Sequence, residues 1–454
     1  MTTFSVNSFL LGRELEMANI GENFPMTRKA RKEKLSEVKE GLSVGSAKVP
    51  GKGQKEVYRI PLNYLSYNPY NTRFLAQAKT LERRFGQELS DENAEHVREI
   101  EKFIWEEKKD RNKNTIDSLI KDGQLQSGVV TADGIVLAGN RRFRLLNEIV
   151  RHPDKYTTPR TGIVGLDCFE AVILDEEKLS KKEIVKYESF YQFGVEEKVE
   201  YNPIQKYIAA QDQKDLGFTE QEIANNFITL TEGKKKTVEK WLSVFEIMLE
   251  YLEYIEEEGI FTALEGREEA FLQLSTLLKS YDGSGGRRVF WAFDDNDISA
   301  LKLIFFDFIR LNTPTHDFRI FKDIFSEEQT WKTFENGVRE IVEDDRNRFK
   351  SFDEYRNDNP NDDEANISKI RQNDYIDTVG KSLNRLYGVE NARIKSQEAQ
   401  EKPIEILNSI KQKLSKLEED MSNNPNKDTF ETEEFFEAVK DILKRIGRIK
   451  QQID

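Results

Sequence analysis

The 454-residue chain has one cysteine, Cys168, and three histidines that lie far apart along the sequence. A single cysteine excludes an internal disulfide framework and is typical of a protein kept in a reducing cytoplasm. Zinc sites and histidine-based catalytic triads need several such residues, so both are disfavoured. No apolar run approaches the ~18 residues that span a bilayer, and the N-terminus lacks the apolar segment of a secretory signal. We therefore expect a cytoplasmic protein with no membrane contact.

Charged residues make up 33% of the chain, and the net charge is −14. An acidic chain lacks the overall basic surface of a non-specific nucleic-acid binder. The charge is unevenly placed, however, because basic residues outnumber acidic ones over residues 21–60. The basic cluster from Arg28 to Lys34 fits either a solvated arm or a nucleic-acid contact. Local basic patches are thus compatible with the acidic total.

A hairpin followed by a helix is predicted over residues 128–150. Two apolar, β-branched runs flank Asp133-Gly134, a dipeptide typical of a tight hairpin turn. The second run ends at Gly139, and the apolar spacing after it predicts a helix. Arg141 and Arg142 therefore stand where a strand becomes a helix. Helix N-termini carry partial positive charge and arginine adds paired donors, so this junction is a candidate anion site.

The rest of the chain is predicted to be mostly helical, which gives an α+β protein. One long helix is expected over residues 75–112, and strands near residues 57–62 and 168–174. Two amphipathic helices near the C-terminus each need a partner for their apolar stripe. The expected division is a flexible basic arm (1–55), a small α/β domain (56–176), a helix-turn-helix-like helical domain (177–258), a second helical domain (259–350), an acidic linker region (351–395) and a C-terminal helical hairpin suited to dimerisation (396–454).

Residues 218–242 have the pattern of a helix, a connection and a basic second helix. Thr219 and Glu222 form a capping box at the start of the first helix. A helix-turn-helix places its second helix in the major groove of DNA. The alternative is a plain helical hairpin with a lysine-rich end. The residues expected to contact DNA are Lys234, Lys235, Lys236, Thr237 and Lys240.

Three motifs in a fixed order resemble the ParB family of prokaryotic chromosome and plasmid partition proteins. Residues 68–73 (NPYNTR) look like its N-P-x-x-x-R segment, residues 122–130 (DGQLQSGVV) are similar to its G-L-L-Q-P-I-V-V, and residues 139–144 (GNRRFR) match its G-E-R-R-x-R box. More faintly, residues 187–192 and 201–205 lie where the family has E-N-x-Q-R and L-N-P-I-E. The resemblance covers residues 56–250 and implies a ParB/sulfiredoxin-like domain followed by a helix-turn-helix.

The resemblance implies that a CTP triphosphate with Mg²⁺ binds at the GNRR loop and closes a dimeric clamp on double-stranded DNA. The residues that it assigns to the nucleotide are Arg73, Gln126, Gly139, Asn140, Arg141, Arg142, Arg144 and Glu188, with Glu188 also as a metal ligand. Asn140 stands where the family has a glutamate, and Ser189 where it has an asparagine. Which nucleotide binds, and whether it is hydrolysed, therefore stay open. Cys168 lies too far downstream for sulfiredoxin activity.

Three functions follow from these patterns. The first is a ParB-like, DNA-binding homodimer gated by CTP or another nucleoside triphosphate. The second is a ParB-like nuclease or NTPase acting against foreign DNA, with Asp122, Asp133 and Glu188 as candidate metal carboxylates. Some relatives of the superfamily are described as nucleases or act as sensors in phage-defence operons, which implies an operon-encoded protein partner. The third is a non-catalytic interaction protein that retains the fold.

Overall fold

The computed structural model describes residues 25–156, 165–176, 179–194, 202–281, 289, 291–346, 349–423 and 427–453. Within these ranges the chain is mostly helical and contains one mixed, six-stranded sheet. The α+β, mainly helical class expected from the sequence is therefore confirmed. None of the helices in these ranges is both long and apolar enough to cross a membrane. Residues 1–24 of the expected arm lie outside the described residues.

The N-terminal segment is ordered from its first helix onward. It contains helix α1 (Arg28–Lys39) and the antiparallel strands β1 (Gly45–Val49) and β2 (Gly53–Pro61). The side chain of Arg31 is fully buried and pairs with the buried carboxylate of Asp91. Arg31 also donates hydrogen bonds to the carbonyl oxygens of Met26 and Asp133, at 2.6 and 2.8 Å. The expectation of a flexible arm is wrong for residues 25–55, because strand pairing and this ion pair fix the segment.

The sheet brings together strands that are distant in sequence. Its other strands are β3 (Ser66–Tyr67), β4 (Gly128–Val130), β5 (Ile135–Ala138) and β6 (Cys168–Ile173). The order across the sheet is β1-β2-β6-β4-β5-β3, with β3–β5 and β4–β6 parallel and the other neighbours antiparallel. The hairpin of β4 and β5 turns at Asp133-Gly134, as predicted. Separate apolar clusters around Phe169 and around Val172 cover its two faces.

Helices lie on both sides of the β4–β5 hairpin in the sequence. Between β3 and the hairpin are α2 (Leu75–Phe85), α3 (Ala94–Glu107) and α4 (Lys109–Asp122). After the hairpin come α5 (Asn140–Arg151) and α6 (Pro153–Tyr156). The single helix expected over residues 75–112 is wrong. Gly86 ends α2 with a φ of 64°, and Lys108 leaves helical geometry with a φ of −139°. The break at Lys108 places it and Arg111 beside the junction of β5 and α5.

From Lys181 onward, the described residues form helices joined by turns and contain no strand. These helices are α7 (Lys181–Gly194), α8 (Ile204–Asp215), α9 (Glu220–Asn226), α10 (Ile228–Thr231), α11 (Lys235–Tyr254), α12 (Glu268–Lys279), α13 (Asp295–Arg310), α14 (Ile320–Ser326), α15 (Glu328–Arg346), α16 (Phe352–Asp358), α17 (Glu364–Asn423) and α18 (Glu433–Ile453). One hydrophobic cluster runs from α8 into α17 and includes Phe227, Phe271 and Leu383. The domain boundary expected near residue 258 therefore lies inside a continuous core.

Residues 351–395 form helices, not the expected linker. Ser351 and Glu354 make a capping box at the start of α16, and Ile367 and Tyr375 of α17 are buried in the core. Apolar side chains at helical spacing thus outweigh the acidic composition of the segment. Beyond residue 401, α17 and α18 bury none of their described side chains. The two apolar stripes expected to form a hairpin therefore do not cover each other.

Candidate anion-binding site

A cleft of about 270 Å³ opens where β5 ends and α5 begins. Most of the residues that the sequence assigns to phosphate contact line it, although they come from distant parts of the chain. They are Arg73, Gln126, Gly139, Asn140, Arg141, Arg142 and Glu188. The structure therefore brings together all the predicted nucleotide contacts except Arg144.

Gly139 makes the sharp turn from strand to helix. Its φ is 95°, in the left-handed region that favours glycine. A Cβ atom at this position would lie only 2.9 Å from Cζ of the buried Phe169 ring, so a larger residue does not fit. The turn exposes the first residues of α5 to the cleft. The N–H groups of a first helical turn lack partners within the helix and carry partial positive charge, which suits an anion.

Five cationic side chains line this cleft, from three separate segments. They are Arg73, Lys108, Arg111, Arg141 and Arg142. The sequence analysis predicted three of them, Arg73, Arg141 and Arg142. Lys108 and Arg111 were missed because the residues before them read as one continuous helix. The basic run from Lys108 to Arg111, at the end of a long charged segment, was the signal that could have found them.

Arg141 is partly removed from water and lies among charges of both signs. Its side chain is half-buried and donates from Nη2 to Oδ1 of Asn112 at 3.2 Å. Burial lowers the pKa of Arg141, and the charges of Arg73 and Arg111 lower it further, against the opposing effect of Glu107. Burial is the main cause of the lowered pKa, and a bound anion would offset the loss of water around the Arg141 guanidinium.

The other two predicted arginines are held at the cleft wall by neighbouring groups. Nη1 of Arg142 donates to the carbonyl oxygen of Gln126, just before β4. Nη1 of Arg73 lies 4.0 Å from a carboxylate oxygen of Glu107. The backbone of Arg73 is fixed in turn by Asn71, whose Oδ1 accepts its N–H at 3.0 Å. These contacts position the guanidinium groups before any ligand arrives.

Asn140 is buried where β5, α5 and the NPYNTR turn meet. Its Oδ1 accepts a hydrogen bond from the backbone N–H of Asn68 at 3.3 Å, and its Nδ2 donates to the carbonyl oxygen of Val136 at 2.8 Å. An ionised glutamate, which the ParB pattern has here, carries no donor. The amide of Asn140 is therefore engaged in holding the cleft together, whereas the sequence assigned it to the ligand.

Glu188 is buried on α7 and lines the cleft. Its Oε2 accepts a hydrogen bond from Nδ2 of Asn68 at 2.8 Å, and its Oε1 accepts one from the N–H of Thr72 at 3.3 Å. Across the described residues, no three or more acidic, histidine or cysteine side chains form a group that could hold a metal ion. A magnesium ion here would need phosphate oxygens of the ligand in addition to Glu188.

Arg144 is the predicted contact that lies outside the cleft. Its Nη1 pairs with Glu148 at 3.0 Å and its Nε donates to the carbonyl oxygen of Glu101 at 3.3 Å. The guanidinium also lies 5.0 Å from the ring centroid of Trp105. Arg144 is about one turn further along α5 than Arg141, so its side chain reaches α3 instead of the β5 end.

The lysine-rich segment forms a second positive surface at the start of α11. Lys234, Lys235, Lys236 and Lys240 are exposed and Thr237 is half-buried. Two of the lysines have acidic neighbours, since Lys234 pairs with Glu232, and Lys235 with Glu239 at 3.2 Å.

The layout around these lysines is that of a helix pair with a short connecting helix. The capping box of Thr219 and Glu222 is present at the start of α9, as predicted. The buried side chains of Val238 and Trp241 hold α11 in the same core as Ile223 of α9. The connection between the two helices contains the one-turn helix α10.

Comparisons of the chain with protein-family models, with curated proteins and with solved structures find no match. What the cleft can bind follows from its own chemistry. Clustered arginines beside a helix N-terminus bind oxyanions, and phosphate groups suit the paired donors of arginine in particular.

Proposed function

We propose that the protein binds a nucleoside triphosphate with magnesium in the cleft at the start of α5, and duplex DNA through the start of α11. The observation that carries the proposal is the convergence of Arg73, Lys108, Arg111, Arg141 and Arg142 on one cleft. The order of the three motifs that resemble the ParB family supports it independently.

A triphosphate is the ligand that best balances the charges of the cleft. The five cations share the cleft lining with one carboxylate, that of Glu188, which already accepts two hydrogen bonds. Outside the lining, Glu107 lies 4.0 Å from Arg73 and Asp110 lies 3.9 Å from Arg111, so the cleft keeps an excess of positive charge. The volume of about 270 Å³ lies just below the usual range of small-molecule sites, about 300–1,000 Å³. A compact, strongly anionic group therefore fits better than a large apolar one. Glu188 and the phosphate oxygens together would supply ligands for Mg²⁺.

Duplex DNA is proposed as the partner of α11 because its first turns present exposed lysines on a structured helix pair. The chain as a whole carries a net charge of −14. Binding must therefore depend on this local surface, and it should weaken steeply with salt as phosphate contacts release counterions.

A homodimer joined through α18 is proposed as the assembled form. Phe436, Leu443, Ile446 and Ile449 recur at helical spacing on α18 and are 61%, 63%, 42% and 45% exposed. An amphipathic helix with an uncovered apolar stripe needs a partner, and a second copy supplies an identical stripe.

A nuclease is less well supported by the structure. Asp122 is exposed at the end of α4, and Asp133 accepts a hydrogen bond from Thr131 in the hairpin turn. Neither lines the cleft with Glu188. The three candidate carboxylates therefore do not form one metal site. Binding without cleavage is the activity that we propose.

Isothermal titration of the full-length protein with CTP, ATP and GTP in the presence of Mg²⁺ tests the proposal. We expect saturable binding of at least one of them, and much weaker binding of the corresponding nucleoside, because the cleft contacts the phosphates. Absence of binding by all three, or equal affinity for a nucleoside, would overturn it.

A further inference from the structure

A second cleft, of about 500 Å³, lies in the helical half of the protein. Its walls come from α11, α13, α15, α16 and α17 and from the residues just before α16. The side chains on which its chemistry depends are Glu253, Tyr254, Asp307, Arg310, Phe349 and Tyr375. None of them was singled out by the sequence, and none belongs to the nucleotide cleft or to the lysine-rich surface of α11.

Arg310 is the unusual residue of this cleft. It is only 7% exposed, and its guanidinium stacks 3.9 Å from the ring centroid of Tyr375 and 4.7 Å from that of Phe349. Its Nη2 is buried without a hydrogen-bond partner, and no side-chain hydrogen bond or ion pair of Arg310 occurs within the described residues. Burying an arginine without an acceptor is costly, because the group loses water and gains only its contacts with the rings.

Arg371, in the same cleft, is a buried arginine whose charge is paired with carboxylates. It pairs with Glu256 at 2.9 Å and with Glu257 at 3.2 Å, and it also donates to the carbonyl oxygen of Ile255. The carboxylate of Asp307, which also lines the cleft, is bound by other groups than Arg310. It accepts hydrogen bonds from the hydroxyl groups of Tyr254 and Tyr375, at 2.9 and 2.7 Å.

We propose that this cleft binds a small molecule in which a carboxylate is attached to an aromatic or apolar body. The carboxylate would accept the free donors of Arg310, since planar carboxylates match the arginine fork. The half-buried ring of Phe349 offers the apolar body an apolar contact, whereas Tyr375 is buried against Arg310. Three exposed acids line the cleft wall, Glu253, Glu256 and Glu354, and of these Glu256 pairs with Arg371. Their charge repels a dianion more than a monoanion, so a carboxylate is favoured over a phosphate. The proposal is independent of nucleotide and DNA binding.

Titration of the full-length protein with three probes tests this site. Benzoate carries the proposed chemistry, phenyl phosphate carries a phosphate on the same ring, and benzamide is the uncharged counterpart. We expect saturable binding of benzoate in the millimolar range or tighter, and weaker binding of phenyl phosphate and of benzamide. Absence of benzoate binding, or benzamide binding equal to it, would overturn the proposal. Phenyl phosphate binding more tightly than benzoate would overturn the preference for a carboxylate.

Arg310→Met should lower benzoate affinity at least tenfold, because the guanidinium proposed to bind the carboxylate is lost. The variant should fold, since methionine fills similar space and removes an uncompensated buried charge. Arg385→Met, on the exposed surface of α17, is the matched control and should bind benzoate like the unaltered protein. Equal loss in both variants, or none in Arg310→Met, contradicts the assignment.

Glu253→Gln provides a second test that leaves the core intact, because Glu253 is exposed. Removing one negative charge from the wall of the cleft should strengthen benzoate binding severalfold and leave benzamide binding unchanged. If benzoate affinity stays the same or falls, the site is not an anion site.

Discussion

The side-chain amide of Asn140 donates a hydrogen bond of 2.8 Å to the backbone carbonyl of Val136, across the junction of β5 and α5. The same side chain accepts the backbone N–H of Asn68. One residue with both a donor and an acceptor thus ties the hairpin, the helix and the NPYNTR turn together. One of the positions where the chain departs from the ParB pattern, Asn140, therefore has a structural role in this protein.

Asn140→Asp should destabilise the protein by about 1–3 kcal/mol, because an acid cannot donate to Val136 and its charge would face a carbonyl oxygen. A carboxylate near a helix N-terminus gains only about 0.3–1 kcal/mol, which does not offset the loss. Chemical denaturation measures the change. Asn384→Asp, at an exposed site of α17, should stay within about 0.5 kcal/mol of the unaltered protein. Equal stability of both variants would mean that the Val136 contact contributes nothing.

Arg31→Ala should cost about 1–3 kcal/mol, since it removes one hydrogen-bonded charge from the buried carboxylate of Asp91, which keeps Arg28 as a partner at 2.5 Å. It also removes the hydrogen bond from α1 to the hairpin at Asp133. Denaturation of Lys29→Ala gives the baseline, because Lys29 is exposed on the same helix. A loss no greater than that of Lys29→Ala would show that the N-terminal segment is not part of the folded core.

His96 should make the protein less stable in mild acid. Its Nδ1 accepts the N–H of Ser90 at 3.0 Å, and burial lowers the pKa of His96 below its ordinary value of 6.5. The unfolded state therefore takes up the proton first. The contribution of His96 is fully present above about pH 6.5 and is lost as the pH falls below that value.

Free energies of unfolding between about pH 8 and pH 5 test the role of His96. His96→Gln should remove part of the decline in stability on acidification. His316→Gln should retain all of it, because His316 is exposed to solvent. An identical pH profile for His96→Gln and the unaltered protein would rule out this source of acid sensitivity.

Replacing Lys235, Lys236 and Lys240 by alanine should weaken duplex DNA binding uniformly across sequences. Each lost phosphate contact lowers the slope of log K against log salt by about 0.9, so the triple variant should lose up to about 3 units of slope. Anisotropy titrations at several salt concentrations measure this. As a control, alanine at the exposed residues Lys411, Lys413 and Lys416 removes the same charge elsewhere. Equal slopes in the two triple variants would exclude α11 as the DNA-binding surface.

Local sequence signals predicted the elements that depend on neighbouring residues. Asp133-Gly134 located the hairpin, Gly139 the strand-to-helix turn, and Thr219 with Glu222 the start of α9. Arg141 and Arg142 were found because they follow that turn directly, whereas Arg73 was assigned through the NPYNTR motif. In each of these cases the deciding contacts lie within a few residues along the chain.

Contacts between distant residues account for what was missed. In the sequence, Arg31 belongs to a basic cluster that fits a solvated arm. In the structure it pairs with Asp91, 60 positions away. Lys108 and Arg111 reach the cleft only because the chain breaks at Lys108. The second cleft depends on Arg310 and Tyr375, which meet from different helices. No local pattern predicts such pairs.

The central claim is that the cationic cleft binds a nucleoside triphosphate, and titration of Arg141→Ala and Arg142→Ala with the triphosphate tests it most directly. Each variant should lose about tenfold to hundredfold in affinity, the usual effect of removing a charged hydrogen bond of about 1.5–3 kcal/mol. Arg98→Ala, exposed on α3, should bind like the unaltered protein, and thermal melting should show all three variants folded. Undiminished affinity in both cleft variants, or no triphosphate binding by the unaltered protein, would contradict the account.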